Sequence, residues 1–592
     1  MENEQLYAMR HSCEHVLTMA MLRLWPGKIK AAMGPATDEG FYFDFDSDVK
    51  ISEDDFKQIE KEMAKIIKED MPITKDEMTV AEAREFFNSN VYKGNEYKHE
   101  WLDQIEDRAE KVAIYWMGEK GRDIPDTFVD ICAGPHVEST RKIGAFKLLK
   151  IAGAYWHGDE KNKMLQRIYG TCFATKGELK EYQDMMKEAE KRDHKKLGKE
   201  LDLFTFSDLI GAGLPLWTPK GTLLRNTLDN FLWELRQAKG YQKVTIPHIT
   251  KKDLYEKSGH WAKFSDDLFK IQTREGHEFA MKPMNCPHHT QIYAHVPRSY
   301  RDLPQRYTET TMVYRDEQTG ELNGLSRVRC ITQDDAHVFC RESQLKDEFY
   351  AIWDIIEEFY TGCGFPALLV RLSLSDPKHM EKYLGTRKNW ERAENQLREF
   401  ILNRGAKFTE AQGEAAFYGP KIDFMAKDSL GREWQVATIQ ADRSMPDSFD
   451  LFCNNEQGEQ ERIVMIHAAI MGSIERFLSI LIEHHAGAFP TWLSPIQVQL
   501  VPVSEKHVEG AEKIRQELFD SGIRVGFDSA DETVGNKIRK ASKQKIPYIV
   551  VVGDKELAGE DFMIRIRGQE EQESMGKDKF IEKVLDEIKN RQ

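Results

Sequence analysis

What the chain lacks narrows it first. No apolar run approaches the ~20 residues that a membrane-spanning helix needs, and the N-terminus, MENEQLYAMR, holds no secretory apolar segment. The expectation is a cytoplasmic chain with no membrane partner. Cysteine is scarce, at eight residues in 592, scattered and without a C-x-x-C pair. That argues against a disulfide framework and for a reducing compartment. Any metal site must therefore recruit ligands distant in sequence. Net basic charge is missing too: the formal charge of −15 argues mildly against nucleic-acid binding, which usually leaves a basic footprint, and no DNA partner is expected. Two local runs, KEAEKRDHKKLGK from Lys187 to Lys199 and NKIRKASKQK from Asn536 to Lys545, are nonetheless cationic. The rest is ordinary: 40% hydrophobic and 31% charged residues, as in a soluble globular protein. The length exceeds a single core and implies roughly three to five domains.

The most informative stretch runs from Tyr307 to Cys340. Two segments of strand character, Tyr307 to Tyr314 and Arg327 to His337, flank a polar loop with Gly320 and Gly324, predicting an antiparallel hairpin. Side chains alternate along strands. Glu309, Arg315, Arg327, Arg329, Gln333, Asp335 and His337 should then share one face, which no apolar core would accept. Such a face suits a site that clamps phosphates, orients an amine and holds a metal; the bland alternative is a solvated sheet face.

Other segments carry candidate chemistry. His11 and His15 in HSCEH stand at i and i+4 in a segment with Leu17, Met21 and Leu24 at helical spacing, so they share a helix face. H-x-x-E-H also matches the inverted zinc-protease motif, with Glu14 as base, but no third ligand stands out. Asp130-Ile-Cys132-Ala-Gly-Pro-His136 follows far downstream. Residues 176 to 200, free of proline, predict a charged linker helix with Leu179, Tyr182, Met185 and Met186 as a partial apolar stripe. Thr218-Pro219 opens a helix carrying Leu223, Leu224, Leu228, Phe231, Leu232 and Leu235, which Gly240 can close. Tyr241 to Pro247 then reads as a strand. Lys282-Pro-Met-Asn-Cys286-Pro-His288-His289 offers a possible metal ligand, although free cysteine is more often core filling. From Ile496 strands alternate with helices, ending in the apolar run IPYIVVVG, which implies a mainly parallel α/β domain.

The wording of these segments is similar to a known family. E-x5-R followed by GELNGLSRVR and TQDDAHVFC resembles motif 2 of class II aminoacyl-tRNA synthetases, in the form of the threonyl-tRNA synthetase family. The helix from Pro219 with the strand to Pro247 resembles motif 1, the dimer interface. His467-Ala-Ala-Ile-Met-Gly-Ser-Ile-Glu-Arg476-Phe resembles motif 3, expected as a helix. The histidine pair with CAGPH, GAYWH and NKMLQRIYG resembles the editing domain shared by threonyl- and alanyl-tRNA synthetases. The C-terminal region resembles the family's anticodon-binding domain.

The resemblance implies an α+β multidomain fold. Its parts are an α+β editing domain at 1–175, a helical linker at 176–200, a class II antiparallel-sheet catalytic domain at 201–495 and an anticodon-binding α/β domain at 496–592. Because the chain begins almost at His11, a bacterial-type form without the small N-terminal domain of many members is implied. Expected partners are ATP with Mg2+, L-threonine, tRNA(Thr) and a second copy in a homodimer. One catalytic Zn2+ per subunit would be held by Cys286, His337 and His467. Arg315, Arg476 and Arg327 would hold phosphates, Glu317 the adenine, and Gln333 and Asp335 would sit near the amino acid. Lys421, Tyr418, Gln435, Thr438 and Gln440 would contact threonine and adenylate. His11, His15, Lys98, Asp130, Cys132 and His136 would line the editing pocket, and Glu556 and Arg565, with Asn536, would read the anticodon. Departures from the family wording fall at His157, Cys330, Ala441, Arg443 and Ala468. A metalloprotease and a non-catalytic tRNA-binding paralogue are the rival readings.

Overall fold

The structure is a computed structural model that describes residues 2–89, 92–108, 110–121, 126–159, 161–427 and 431–592. It divides into two compact units, Met1–Lys187 and Glu188–Gln592. No helix among the described residues is long and apolar enough to cross a membrane.

The first unit opens with α1 (Glu2–Leu24). Its Val16, Leu17, Ala20 and Met21 are fully buried and recur at helical spacing, so one face seals the unit's core. Strands β1 (Ile29–Ala31) and β2 (Phe41–Ser47) follow. Then come β3 (Ile73–Met78), helix α2 (Glu96–Asp107), β4 (Val112–Met117) and β5 (Phe128–Ile131). Strands β6 (Ala145–Tyr155) and β7 (Met164–Phe173) complete it. The strands form a four-stranded sheet ordered β1-β2-β7-β6 and a three-stranded sheet β3-β4-β5, all antiparallel. Alternating Phe41, Phe43 and Phe45 are buried in the core that α1 closes.

The expected single linker helix is two, α3 (Lys176–Arg192) and α4 (His194–Glu200). Asp193 causes the break: its carboxylate accepts the Lys195 N–H at 2.7 Å as an N-cap. The expected stripe on α3 is not buried, and Met185 and Met186 are exposed.

In the second unit Thr218 caps α5 (Pro219–Ala238). Gly240 takes a left-handed φ of 79° just beyond its end. Leu224, Leu228, Phe231, Leu232 and Leu235 are buried, whereas Leu223, expected on the same face, is exposed. The predicted strand to Pro247 shortens to β8 (Gln242–Lys243). Helix α6 (Cys286–Ala294) precedes β9 (Gln305–Tyr314) and β10 (Cys330–Cys340). The hairpin is present, but its second strand starts at Cys330. Arg327 and Arg329 therefore lie in the connecting loop, where ion pairs and a bridge between Asn323 and Arg327 replace ladder pairing. Helix α7 (Leu345–Gly362), β11 (Leu369–Leu374), β12 (Phe408–Gln412), β13 (Lys421–Lys427) and β14 (Glu433–Asp442) continue the fold.

Strand β15 (Val464–Ser473) corrects the motif 3 expectation, since His467 rides on a strand and only α8 (Ile474–His484) is helical. The resulting sheet is ordered β8-β9-β10-β15-β14-β13-β11-β12. The C-terminal sheet comprises β16 (Val498–Pro502), β17 (Val525–Phe527), β18 (Tyr548–Val552), β19 (Phe562–Ile566) and β20 (Gln572–Met575), ordered β17-β16-β18-β19-β20. It is less parallel than expected: β16 pairs in parallel with β17 and β18, while β19 and β20 add antiparallel edges.

Candidate functional site

Register on the large sheet draws one row of residues across five strands. Tyr307 pairs with His337, His337 with His467, His467 with Gln440, and Gln440 with Lys421. Glu309 faces Asp335 and Thr311 faces Gln333 on the same side. Cys286, at the start of α6, completes a cluster. Its sulfur and the nitrogens of His337 and His467 all lie within 4.8 Å of one another, and all three residues are buried.

Both imidazoles are held from behind. His337 Nε2 and His467 Nδ1 are 3.1 Å apart, while His467 Nε2 meets Asp442 Oδ2 at 3.0 Å. Asp442 is itself fixed by the N–H groups of Ser444 and Met445, at 2.8 and 2.9 Å. His337 Nδ1 contacts His289 Nδ1 at 2.7 Å. Burial pushes the Cys286 thiol well above its usual range and holds His337 neutral. One sulfur and two outward-anchored nitrogens form a donor set that fits zinc with an open position.

Beside this cluster the Tyr418 ring stacks on His467, centroids 5.0 Å apart, and its hydroxyl bonds to Gln440. Gln440 Nε2 donates to Thr438 Oγ1 at 3.4 Å. Lys421 and Gln435 both bind the buried Asp423, at 2.8 and 2.9 Å. Asn285 Nδ2 donates to Asp335 Oδ2 at 3.0 Å.

Three guanidiniums converge where β9 ends. Arg315 follows β9 directly, and its Nε is buried without a partner. Burial lowers the Arg315 pKa. Arg476, in the first turn of α8, is likewise lowered by burial and then by the charges of Arg315 and Arg327. Such crowding of like charge marks an anion site. Arg327 pairs with Glu317 at 2.7 Å and with Glu321 at 2.9 Å.

In the first unit, α1 presents His11 and His15 to Cys132 and His136. Cys132 Sγ lies 3.2 Å from His11 Nε2 and 3.1 Å from His136 Nε2. Ser12 Oγ lies 3.1 Å from His136 Nδ1. Lys98 pairs with Asp130 at 2.5 Å, both nearly fully buried. His11, His15, Lys98, Asp130 and Cys132 line a cavity of about 410 Å³; His136 is not among its lining residues, and its ring packs against His11 at 4.2 Å. Burial pushes His11 down to about 4, His136 to about 2 and the Cys132 thiol up to about 12. In the C-terminal region Glu556 and Arg565 line a cavity of about 590 Å³. Asn536 is not among its lining residues and bonds Glu532 and Arg539 instead.

Sequence reasoning missed several groups. Lys282 is fully buried and donates to Thr311 Oγ1 at 3.0 Å. His260, also fully buried, lies 2.8 Å from Ser258 Oγ and 3.2 Å from Met284 Sδ. Asp442 and His289 steady the cluster histidines. Lys282 and His289 lie in the same proline-punctuated segment as Cys286, the signal that could have found them; His260 has only the preceding glycine. The departures have structural accounts. Arg443 turns to Glu342 and Gln396, each at 2.7 Å, while Ala441 and Ala468 are core residues at 3% and 2% exposure. Cys330 opens β10 opposite Tyr314.

A family model described as "tRNA synthetase class II core domain (G, H, P, S and T)" matches residues 269–485. An "Anticodon binding domain" matches 497–587, and a "Threonyl and Alanyl tRNA synthetase second additional domain" matches 112–169. The sheet with its three guanidiniums is therefore that of a class II aminoacyl-tRNA synthetase. Relatives narrow the class. A threonine–tRNA ligase of Flavobacterium johnsoniae is 46% identical over 95% of this chain and 84% of its own. One from Rubrobacter xylanophilus is 45% identical over 99% of this chain and 89% of its own. A solved structure described as the RNA-binding domain of threonyl-tRNA synthetase from Cryptosporidium parvum is 36% identical, with a TM-score of 0.63 over 67% of this chain and 98% of that one. The chain belongs to the threonine–tRNA ligase family.

Proposed function

We propose that the protein joins L-threonine to tRNA(Thr) at the expense of ATP and clears seryl-tRNA(Thr) by hydrolysis in its first unit. The observation that carries the synthetic half is the single sheet face on which the Cys286, His337 and His467 cluster lies beside three converging guanidiniums. Arg315 and Arg476 grip the triphosphate of ATP, whose charge Mg2+ would help neutralise, with Arg327 assisting and Glu317 at the adenine. The threonine carboxylate attacks the α-phosphorus, the bond to pyrophosphate breaks, and threonyl-adenylate forms. Fixed positive charge meets the charge that develops on the phosphoryl oxygens, so catalysis is positioning and electrostatic stabilisation. A terminal ribose hydroxyl of the tRNA then attacks the mixed anhydride and AMP leaves.

Cys286, His337 and His467 would hold one zinc ion, which when bound supplies a Lewis-acidic position for the amino and hydroxyl groups of threonine. Asp335 and Gln333 orient the amino group, Tyr418, Thr438 and Gln440 close over the bound amino acid, and Lys421 and Gln435 order the strands that carry them. A site that binds the hydroxyl rejects valine by ~10⁴ or more, whereas serine lacks only a methyl, worth ~1–3 kcal/mol. Accuracy therefore needs a second sieve, assigned to His11, His15, Lys98, Asp130, Cys132 and His136. Glu556 and Arg565 read the anticodon, with Asn536 at the margin. Helix α5 and β8 form the homodimer seam, and the protein works in the cytoplasm. Threonine-dependent exchange of pyrophosphate into ATP tests the synthetic reading. Binding of tRNA without that exchange would sink it in favour of a non-catalytic paralogue.

A further inference from the structure

One fully buried carboxyl in the editing pocket has no task in the function proposed above. Glu14 lies on α1 between His11 and His15 and lines the same cavity. It is only 1% exposed. A buried carboxyl is costly unless it is paired, hydrogen-bonded or in use. Lys98 gives its ammonium to Asp130 at 2.5 Å and to the Ala32 carbonyl at 2.9 Å, so it acts on Glu14 only through space. Thr18 Oγ1 donates to Glu14 Oε1 at 3.2 Å, which anchors one oxygen. The other, Oε2, stands 3.6 Å from His15 Nε2 and 4.0 Å from His11 Nε2. Those separations are too long for direct hydrogen bonds and suit one water shared among the three groups. His15 has a buried Nδ1 without a partner, so its imidazole is not anchored from behind in the way Asp442 anchors His467, whereas His11 meets the Pro135 backbone.

We propose that the hydrolytic water of the editing reaction sits in this space and that Glu14 Oε2 takes its proton, an inference that rests on the editing function proposed above. The water oxygen bonds to the carbonyl carbon of the seryl ester as its proton passes to the Glu14 carboxylate. The tetrahedral adduct collapses with cleavage of the bond between that carbon and the terminal ribose oxygen. The ribose oxygen takes the proton back from Glu14, leaving a free hydroxyl and serine. Glu14 is then ionised again. His11 and His15 hold the water by hydrogen bonds and remain neutral throughout. Burial, reinforced by the negative charge of Asp130, pushes the Glu14 carboxyl well above the usual carboxylate range. Only the ionised fraction of Glu14 is a base, and burial lowers that fraction, so hydrolysis should quicken as pH rises.

The test uses the full chain and single-turnover deacylation of preformed seryl-tRNA. Glu14→Gln keeps the shape and removes the base. It should slow hydrolysis by at least ~10² while half-saturation by seryl-tRNA moves by less than about threefold. Threonine-dependent pyrophosphate exchange should be unchanged in the same preparation. Added formate should restore a measurable part of the rate to Glu14→Ala, where a small carboxylate can enter, and none to Glu14→Gln. Hydrolysis at the parental rate in Glu14→Gln, with loss of it in the Cys132→Ala and His11→Ala double variant, overturns the assignment and leaves the editing reading intact. Loss of rate in both Glu14 variants that formate does not restore makes Glu14 a packing residue and overturns it equally. If the parental protein never clears seryl-tRNA, the editing reading fails and this inference fails with it.

Discussion

Arg315 shows how much of a residue's character is set by neighbours the sequence does not place beside it. Its Nε is buried and unpartnered, and its charge lowers the pKa of the neighbouring Arg476, so the residue is poised for an anion. Arg315→Ala should lower the rate of adenylate formation by at least ~10², the order expected when one transition-state donor is lost. Lysine should restore only part of it, because an ammonium lacks the planar fork. A near-parental exchange rate in Arg315→Ala would refute the role. The cluster residues make a different prediction. Cys286→Ala or His337→Ala should strip zinc, measured by metal analysis of the purified protein, and abolish threonine activation while the circular dichroism spectrum is retained. Full activity without zinc would contradict it. Cys286, His337 and His467 were legible because the family wording around them is distinctive. Asp442, Lys282 and His260 were not, since their importance comes from burial and from contacts made across the sheet, which no spacing rule encodes.

At the scale of elements, errors fell where the periodic signal is silent. The run from Val464 to Ser473 is apolar on both faces and nearly all buried, and such a run does not distinguish a buried strand from a buried helix. The hairpin was read one turn too long because Arg327 and Arg329 continue the alternation of β10 while pairing with loop carboxylates. The break between α3 and α4 had a visible cap residue in Asp193, overlooked within a charged run. The elements that match the expectation, α1 and α5, show apolar residues at helical spacing, and α5 has a cap besides, whereas α6 stands where a proline-punctuated loop is expected. The start of α8 permits a test of how the arginine is aimed. Glu475, buried at 1% exposure, accepts the Thr332 N–H at 2.7 Å and its hydroxyl at 2.8 Å, locking α8 to β10 one residue before Arg476. Glu475→Ala leaves both donors buried without acceptors and should destabilise the second unit by about 3 kcal/mol, read as a lower urea midpoint. An unchanged midpoint would show that water replaces the carboxylate as acceptor.

At the scale of the molecule, each unit has its own apolar core, and unfolding should proceed in more than one transition. A single coincident transition by fluorescence and circular dichroism would refute that. The first unit should also be acid-sensitive. Burial lowers His11 to about 4 and His136 to about 2, whereas an unfolded histidine titrates near 6.5. As pH falls from about 6.5, the unfolded chain takes up protons that these folded histidines refuse, which costs stability down to about 4 for His11 and about 2 for His136, partly offset by Glu14 and Asp130, whose raised carboxyls favour the folded unit. His11 alone contributes about 3 kcal/mol of that loss. The urea midpoint of the first unit should drop between pH 7.5 and pH 5, and His11→Gln should flatten the decline.

The row of paired residues on the large sheet has a consequence for synthesis on the ribosome. Every side chain of the editing pocket lies before residue 187, where the first unit ends, yet the sheet row closes only when β15 delivers His467. Roughly 280 residues separate the two events, which at about 5–20 residues per second is roughly 15 to 55 s of translation. The nascent chain thus carries its corrector before its ligase can form, so no newly made copy charges tRNA without already being able to undo its mistakes.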